Sequence, residues 1–251
     1  MQPFGAVLDL VVPRACGGCG SPSSLPLCPS CVAGLDRVRW PSPRVVTPHP
    51  RPRGLPPTVA AAAYAGVLRR LVTAHKDEGR RDLAPVLAGL LAASLDVLVV
   101  PGTVVVPVPS SRSARRRRGD RPLDHLLRLA GRNVAPGGAG VVVVDALRAV
   151  RVLADQSGLD RAGRAANLRG AYAVRPGDRG RLEGREVVLV DDVLTTGATL
   201  AEAARAVRCA GGEPVASAVI AATRLRGDRP ATPHPVSAPD RSALPPRDAE
   251  D

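Results

Sequence analysis

The chain has 251 residues, room for one ordinary domain plus a small module, and 45% of them are hydrophobic, which excludes a chain disordered throughout. Aromatic residues make up only 2%, namely Phe4, Trp40, Tyr64 and Tyr172, which argues against a surface built mainly on aromatic stacking, such as an RNA-recognition sheet or an aromatic sugar cleft. The formal net charge of +12 favours anionic partners: phosphorylated metabolites, nucleic acid or anionic lipid. Arginine carries that excess, Lys76 being the sole lysine, and the wealth of Ala, Val, Gly and Pro beside it points in part to a GC-rich coding bias.

The most apolar stretch, 83–109, is broken by Pro85, Asp96, Pro101 and Pro107 and never offers the ~18 uninterrupted apolar residues of a membrane helix. The first residues lack a charged segment followed by an apolar one and a small-residue cleavage site. The expectation is a cytoplasmic protein without membrane insertion, whose cysteines are reduced or metal-bound.

Four of the five cysteines form the pattern C-x2-C-x8-C-x2-C: Cys16, Cys19, Cys28 and Cys31. Each C-x2-C is a knuckle whose sulfurs converge on one metal, and two knuckles make a tetrahedron of thiolates. Gly17, Gly18 and Gly20 permit the tight backbone this requires. Disulfides are the competing reading; the clustering favours zinc. Four protein ligands leave no open position, so the metal is structural. Residues 1–40 are assigned to this module. Residues 41–57, rich in Pro and Arg and without periodicity, read as an extended linker.

Order is expected from Thr58 onward. Residues 59–64 read as a strand, 66–75 as a helix with Val67, Leu68, Leu71 and Val72 on one face, and 83–95 as a second helix. A buried strand follows at 104–108, a helix at 122–133, and another buried strand at 141–144. Residues 148–170 are polar and Arg-rich; 171–174 read as a short strand. The run 187–190 has no polar alternation, so it is a strand covered on both faces. A helix over 198–210 ends at Gly211-Gly212, where Cys209 is expected to be buried, and a last strand spans 215–221. Residues 226–251, rich in Pro, Ala and charge, read as a disordered tail. Apolar strands alternating with helices define an α/β fold with a mainly parallel sheet.

The informative run is Val187 through Leu200, VVLVDDVLTTGATL. A buried strand delivers Asp191 and Asp192, and a Thr/Gly loop then opens a helix. In open α/β sheets ligands sit beyond the carboxyl ends of strands. Backbone N–H groups at a helix N-terminus, with threonine hydroxyls, make a phosphate cradle. Carboxylates beside it repel phosphate, so they face sugar hydroxyls, a metal ion or both. A ligand with a phosphate on one side and a diol on the other is a phosphorylated ribose.

This run resembles the phosphoribosyl-pyrophosphate (PRPP) signature of type I phosphoribosyltransferases. The chain as a whole resembles the ComF-type, competence-associated proteins, in which a four-cysteine zinc module precedes a phosphoribosyltransferase-like domain. The resemblance is carried by Tyr64 and Gly66 ahead of a helix and Lys76, by Pro107-Val108-Pro109-Ser110 with Arg112 and Arg118-Gly119, and by Gln156, Leu159, Arg161, Arg164, Asn167-Leu168 and Gly170-Ala171-Tyr172. One departure is Arg118-Gly119-Asp120-Arg121-Pro122 where the family has Arg-Gly-Phe-Asn-Gln.

The resemblance implies a type I phosphoribosyltransferase-like mainly parallel sheet with helices on both faces, spanning 58–225, and the following roles. Asp191 and Asp192 hold the ribose hydroxyls, directly or through Mg²⁺. Thr195, Thr196, Gly197, Ala198 and Thr199 bind the 5′-phosphate. Residues 148–170 are a mobile flap whose Arg161 and Arg164 neutralise the leaving pyrophosphate. Lys76, Ser110, Arg118, Gln156 and Asn167 are further pyrophosphate or flap candidates. The implied reaction is displacement of pyrophosphate at C1′ by a nitrogen nucleophile. The competing functions are single-stranded DNA binding in DNA uptake, alone or with uptake-machinery proteins, and PRPP sensing without turnover. The run Arg115 to Arg118 is equally a solvated basic loop, a pyrophosphate guide or a DNA contact.

Overall fold

The computed structural model describes residues 15–100, 102–109, 122–132, 134, 142–151 and 168–223. Its elements in chain order are α1 (Pro29–Asp36), β1 (Arg39–Val46), β2 (Thr58–Ala63), α2 (Gly66–Asp77), a 3₁₀ turn (Arg81–Leu83), α3 (Ala84–Asp96), β3 (Val104–Pro107), α4 (Pro122–Ala130), β4 (Val142–Val143), β5 (Leu147–Ala149), β6 (Tyr172–Val174), a 3₁₀ turn (Pro176–Arg181), β7 (Glu186–Leu194), α5 (Ala198–Arg208) and β8 (Glu213–Ala222). The main sheet has the order β1-β2-β8-β7-β3-β4, and β5 and β6 form a separate antiparallel ribbon. Only β1 runs antiparallel in the main sheet; every other pair is parallel. Among the described residues no helix is long and apolar enough to cross a membrane.

The parallel strands are apolar because they are covered on both sides. In β7, Val188 and Val190 enter one core with Leu68, Leu71, Leu87 and Leu126, whereas Val187 and Leu189 enter the other with Leu147, Leu200 and Val207. Helices α2, α3 and α4 cover the first face; α5 and the β5–β6 ribbon cover the second. Small residues at the sheet centre let α3 ride close. Ala62 of β2 pairs with Ala221 of β8, and Ser94 of α3 donates a hydrogen bond to the Val219 carbonyl at 2.9 Å. The core is therefore filled mainly by Ala, Val and Leu.

Several expectations change. The stretch read as a linker opens in β1, whose Arg44, Val45 and Val46 pair with Ala60, Val59 and Thr58. Pro41 and Pro43 mark it as an edge strand, where a missing N–H is tolerated. The strand expected to be buried at 141–144 is also an edge: Val142 and Val143 are each 43% exposed. A valine run indicates a strand but not whether helices cover it. Cys209 is exposed rather than buried, because it falls just beyond the last turn of α5.

Residues of the cysteine module pack into the main core. Cys16, Leu27, Cys31 and Leu35 share one core with Leu68, Leu83 and Leu87. A Cβ at Gly17 would lie 2.7 Å from the Leu83 side chain, and one at Gly34 would lie 2.7 Å from that of Val67. Neither position tolerates a side chain without displacing a residue of the main core.

Candidate phosphoribosyl and metal sites

The parallel strands β2, β8 and β7 end level at one edge of the sheet, Ala63 beside Ala222 and Ala222 beside Leu194, and the acids lie on β7. That strand continues through Asp191 and Asp192 to Leu194, so both acids belong to the strand and not to the loop after it. Strand alternation separates them. Asp192 follows Val188 and Val190 toward the face of α2, and its carboxylate is ion-paired with Lys76 Nζ. Asp191 follows Val187 and Leu189 toward the face of α5, where its charge acts on the buried phenol of Tyr172. The backbone steadies both: Asp192 N–H donates to Asp191 Oδ1 at 2.8 Å, and Val193 N–H donates to Asp192 Oδ1 at 2.9 Å.

The two carboxyl groups are electrostatically unlike. Burial and the neighbouring Asp192 charge push Asp191 up to about 8, with Lys76 only partly offsetting them. Burial acts on Asp192 in the same direction, but the Lys76 ammonium overrides it and holds Asp192 below the ordinary carboxylate range. Lys76 is raised in turn: burial disfavours its charge, and Asp192 and Asp191 more than restore it. The ligand-free fold thus favours the protonated form of Asp191 and the ionised form of Asp192. Such divergent neighbours mark acid–base or ligand sites.

Thr195, Thr196 and Gly197 join β7 to α5, with Gly197 as the cap residue at φ +76°. Thr196 Oγ1 accepts a hydrogen bond from Ala198 N–H at 3.4 Å, and Thr199 lies in the first turn of α5. The free N–H groups of that turn and the helix dipole favour an anion here. Behind Gly197 stand two residues that sequence reasoning missed. A Cβ at this glycine would lie 2.9 Å from Leu55 Cδ2 and 3.1 Å from Pro48 Cγ. Nothing in a Pro-rich stretch signalled that it would back the loop. Gly197→Ala therefore meets a left-handed backbone cost of about 1–2 kcal/mol plus this clash. Its expected result is a lower denaturation midpoint together with weaker binding of ribose 5-phosphate, both read on the same protein.

The structure brings Asp191, Asp192, Thr195, Thr196, Gly197, Ala198 and Thr199 together and adds Lys76. Lys76 engages the acid pair rather than standing free for an anion. It is nevertheless 45% exposed, so an incoming ligand can reach it. Ser110, Arg118, Gln156, Arg161, Arg164 and Asn167 lie outside the described residues. So do the basic run 112–121 and the tail 226–251.

The ligand atoms of Cys16, Cys19, Cys28 and Cys31 all lie within 4.8 Å of one another. Cys19 Sγ and Cys28 Sγ are 3.7 Å apart, close to the ~3.8 Å edge of a tetrahedron with zinc–sulfur bonds of about 2.3 Å. Cys16 Sγ accepts hydrogen bonds from the N–H groups of Gly18 at 3.4 Å and Cys28 at 3.2 Å. Burial opposes the Cys16 thiolate, yet these backbone donors bring the thiol down to about 6. Cys31, buried among the other sulfurs, is pushed up to about 12. A cation satisfies both tendencies by neutralising the clustered thiolates. The four-cysteine cluster is compatible with a structural zinc.

Residues 136–247 match the family model of the phosphoribosyl transferase domain, and the sheet, helices and carboxyl-edge loop described above are those of a phosphoribosyltransferase-type α/β domain. The curated proteins it resembles include two adenine phosphoribosyltransferases and a transcriptional regulator. The chain is 47% identical over 62 residues to adenine phosphoribosyltransferases of Mycobacterium avium and Mycolicibacterium paratuberculosis, covering 24% of this chain and 34% of each of theirs. It is 51% identical over 41 residues to the transcriptional regulator GfcR of Methanobrevibacter smithii, covering 16% of this chain and 20% of that protein. The matched stretches span a fifth to a third of these relatives' lengths.

Proposed function

We propose that this chain is a ComF-type phosphoribosyltransferase that binds PRPP with Mg²⁺ in the cytoplasm and transfers its phosphoribosyl group to a nitrogen acceptor. The observation that carries the reading is the adjacency of Asp191 and Asp192 to the Thr-Thr-Gly turn at the N-terminus of α5. The turn suits a terminal phosphate, and the acids suit hydroxyls and a hard cation. Asp191 and Asp192 would hold the Mg²⁺, which neutralises charge on the leaving pyrophosphate. Thr195, Thr196 and Thr199 orient the 5′-phosphate. Lys76 yields Asp192 to the ligand and is then free to face its anionic groups. Arg161 and Arg164 act on the pyrophosphate from the segment 148–170. The adenine phosphoribosyltransferase relatives support turnover.

A second reading is a PRPP-responsive or single-strand-binding protein without turnover, acting in DNA uptake. The stretch shared with a transcriptional regulator and the net charge of +12 favour it. Calorimetry with PRPP and Mg²⁺, followed by pyrophosphate release against a panel of nucleobases and amines, tests the enzyme. Binding to single strands with a steep salt dependence, and no pyrophosphate release with any acceptor, would favour the second reading.

Protonation offers a further check. The ligand-free fold holds Asp191 well above the ordinary carboxylate value near 4. A group raised on folding contributes stability below its unfolded value and loses it as pH rises through its folded value, here about 8. The ligand-free melting temperature is therefore expected to fall between about pH 4 and pH 8, from the unfolded to the folded value, and to level off above that. Asp191→Asn should remove this part of the fall and melt higher than wild type at about pH 9. PRPP binding should run the opposite way in wild type, strengthening as Asp191 ionises. A melting profile identical in wild type and variant across that range would refute this assignment of the proton.

A further inference from the structure

The four knuckle sulfurs are not equivalent. Cys16 and Cys31 are buried in the core that holds Leu68 and Leu83, whereas Cys19 is exposed and Cys28 half-buried. Their places in the chain explain the difference. Cys31 lies within α1 and is buried there with Gly34 and Leu35, while Cys28 is the cap residue ahead of that helix. Cys19 belongs to the turn that the Gly20 N–H closes onto the Cys16 carbonyl at 2.8 Å. The Gly18 backbone shields Cys31 further, since a Cβ there would lie 2.5 Å from Cys31 Sγ.

Each knuckle thus offers solvent one sulfur, and these two are neighbours. Cys19 Sγ and Cys28 Sγ are 3.7 Å apart, and a disulfide needs about 2.05 Å. The remaining cysteine, Cys209, follows α5 on the second face of the main sheet, whereas the knuckles pack into the core of the first. Within one chain, an oxidised Cys19 therefore meets Cys28 before any other accessible thiol.

We propose that Cys19 and Cys28 form an oxidant-responsive modification site: a hydroperoxide joins them in a disulfide, and the zinc is released. The inference rests on the structural-zinc reading of the cluster and is independent of the PRPP reading. The Cys19 thiolate attacks one peroxide oxygen and the O–O bond breaks; the departing oxygen takes a proton and leaves as alcohol or water. The Cys28 thiolate then attacks the sulfenic sulfur, forming the S–S bond and expelling hydroxide, which leaves as water. With hydrogen peroxide, two thiolates and two protons give one disulfide and two waters; the sulfurs lose two electrons and the peroxide gains them. Only Cys16 and Cys31 then remain to the metal, and two thiolates hold zinc far less tightly than four. A dithiol reductant reverses the step by exchange. Because the two remaining cysteines sit in the main core, the loss of zinc is felt there.

The test uses the full chain, reduced, with its zinc measured by elemental analysis, and hydrogen peroxide as the oxidant. A chromogenic chelator reads zinc release, and alkylation with peptide mass spectrometry maps the disulfides. The expected result is release of about one zinc per chain in step with a Cys19–Cys28 linkage and a lowered denaturation midpoint. Dithiothreitol with added zinc should restore all three. Cys209→Ser should behave as wild type. Cys28→Ser lacks the resolving thiol, so dimedone should trap Cys19 as a sulfenic acid; if that variant does not fold, the linkage mapped in wild type decides. Zinc retained under peroxide, a linkage within one knuckle or to Cys209, or oxidation that no reductant reverses would each overturn this inference alone. Wild type that holds no zinc overturns it together with the zinc reading.

Discussion

Replacing Asp191 and Asp192 together by asparagine is expected to abolish Mg²⁺-dependent PRPP binding while the chain stays folded. The substitution preserves shape and removes charge. Each lost charge-assisted hydrogen bond is worth about 1.5–3 kcal/mol, so two give a loss of about a hundredfold or more. Folding should tolerate the change for opposite reasons at the two positions. Asp191 is a half-buried carboxyl whose charge is disfavoured, so an amide relieves a burden at high pH. Asp192 supports Lys76, but Lys76 is 45% exposed and can be resolvated when its partner becomes neutral. Titration calorimetry beside a melting curve reads both effects. Equal PRPP affinity in wild type and the double variant would leave the strand and turn as scaffold only, and the DNA-binding reading would lead.

Cys31→Ser is expected to lower the stability of the whole chain, beyond its effect on residues near the knuckle. Cys16 and Cys31 are 2% and 4% exposed and lie in the same core as Leu68, Leu71, Leu83 and Leu87. With three ligands left, the metal is held less tightly, and metal affinity in such a cluster is folding free energy. A buried serine hydroxyl then adds its own desolvation cost of about 1–3 kcal/mol. The measurement is zinc content by elemental analysis with scanning calorimetry, before and after a chelator. The expected outcome is zinc bound to wild type, little in the variant, and one cooperative transition shifted downward. A main transition that does not move when zinc leaves would show that the knuckles fold as an appendage. Zinc absent from wild type purified reduced and without chelator would remove the metal altogether.

Both sites are encoded by signals that are local in sequence. The run 187–200 encodes its own local structure: valines for a covered strand, Thr-Thr-Gly for the turn, alanines for the helix. Strand, turn and helix form as read because each signal is local. The C-x2-C pairs are likewise local, and their sulfurs converge as the spacing requires. Alternating apolar strands and helices were enough for a parallel α/β sheet.

Burial and partnership were not local, and only tertiary structure decided them. The valines at 142 and 143 read like those at 187 and 188, yet one pair lies on an edge and the other at the centre, because neighbours and not composition determine coverage. Strand alternation sent Asp191 and Asp192 to opposite faces, and α2 brought Lys76 from 116 positions away to one of them. Burial and the Asp192 charge raise Asp191, while the Lys76 ion pair holds Asp192 down, a distinction invisible in the dipeptide. Glu202 and Arg205 showed in sequence only the spacing of an ordinary surface pair. The ribbon folding over them buried the acid and gave it the backbone of Tyr172 to hold. The sequence alone thus determined which chemical groups stand at the strand end and in the knuckles. The packing of distant elements determined their charge, their partners and the direction each faces, since desolvation and Coulomb interaction depend on distance in space and not along the chain.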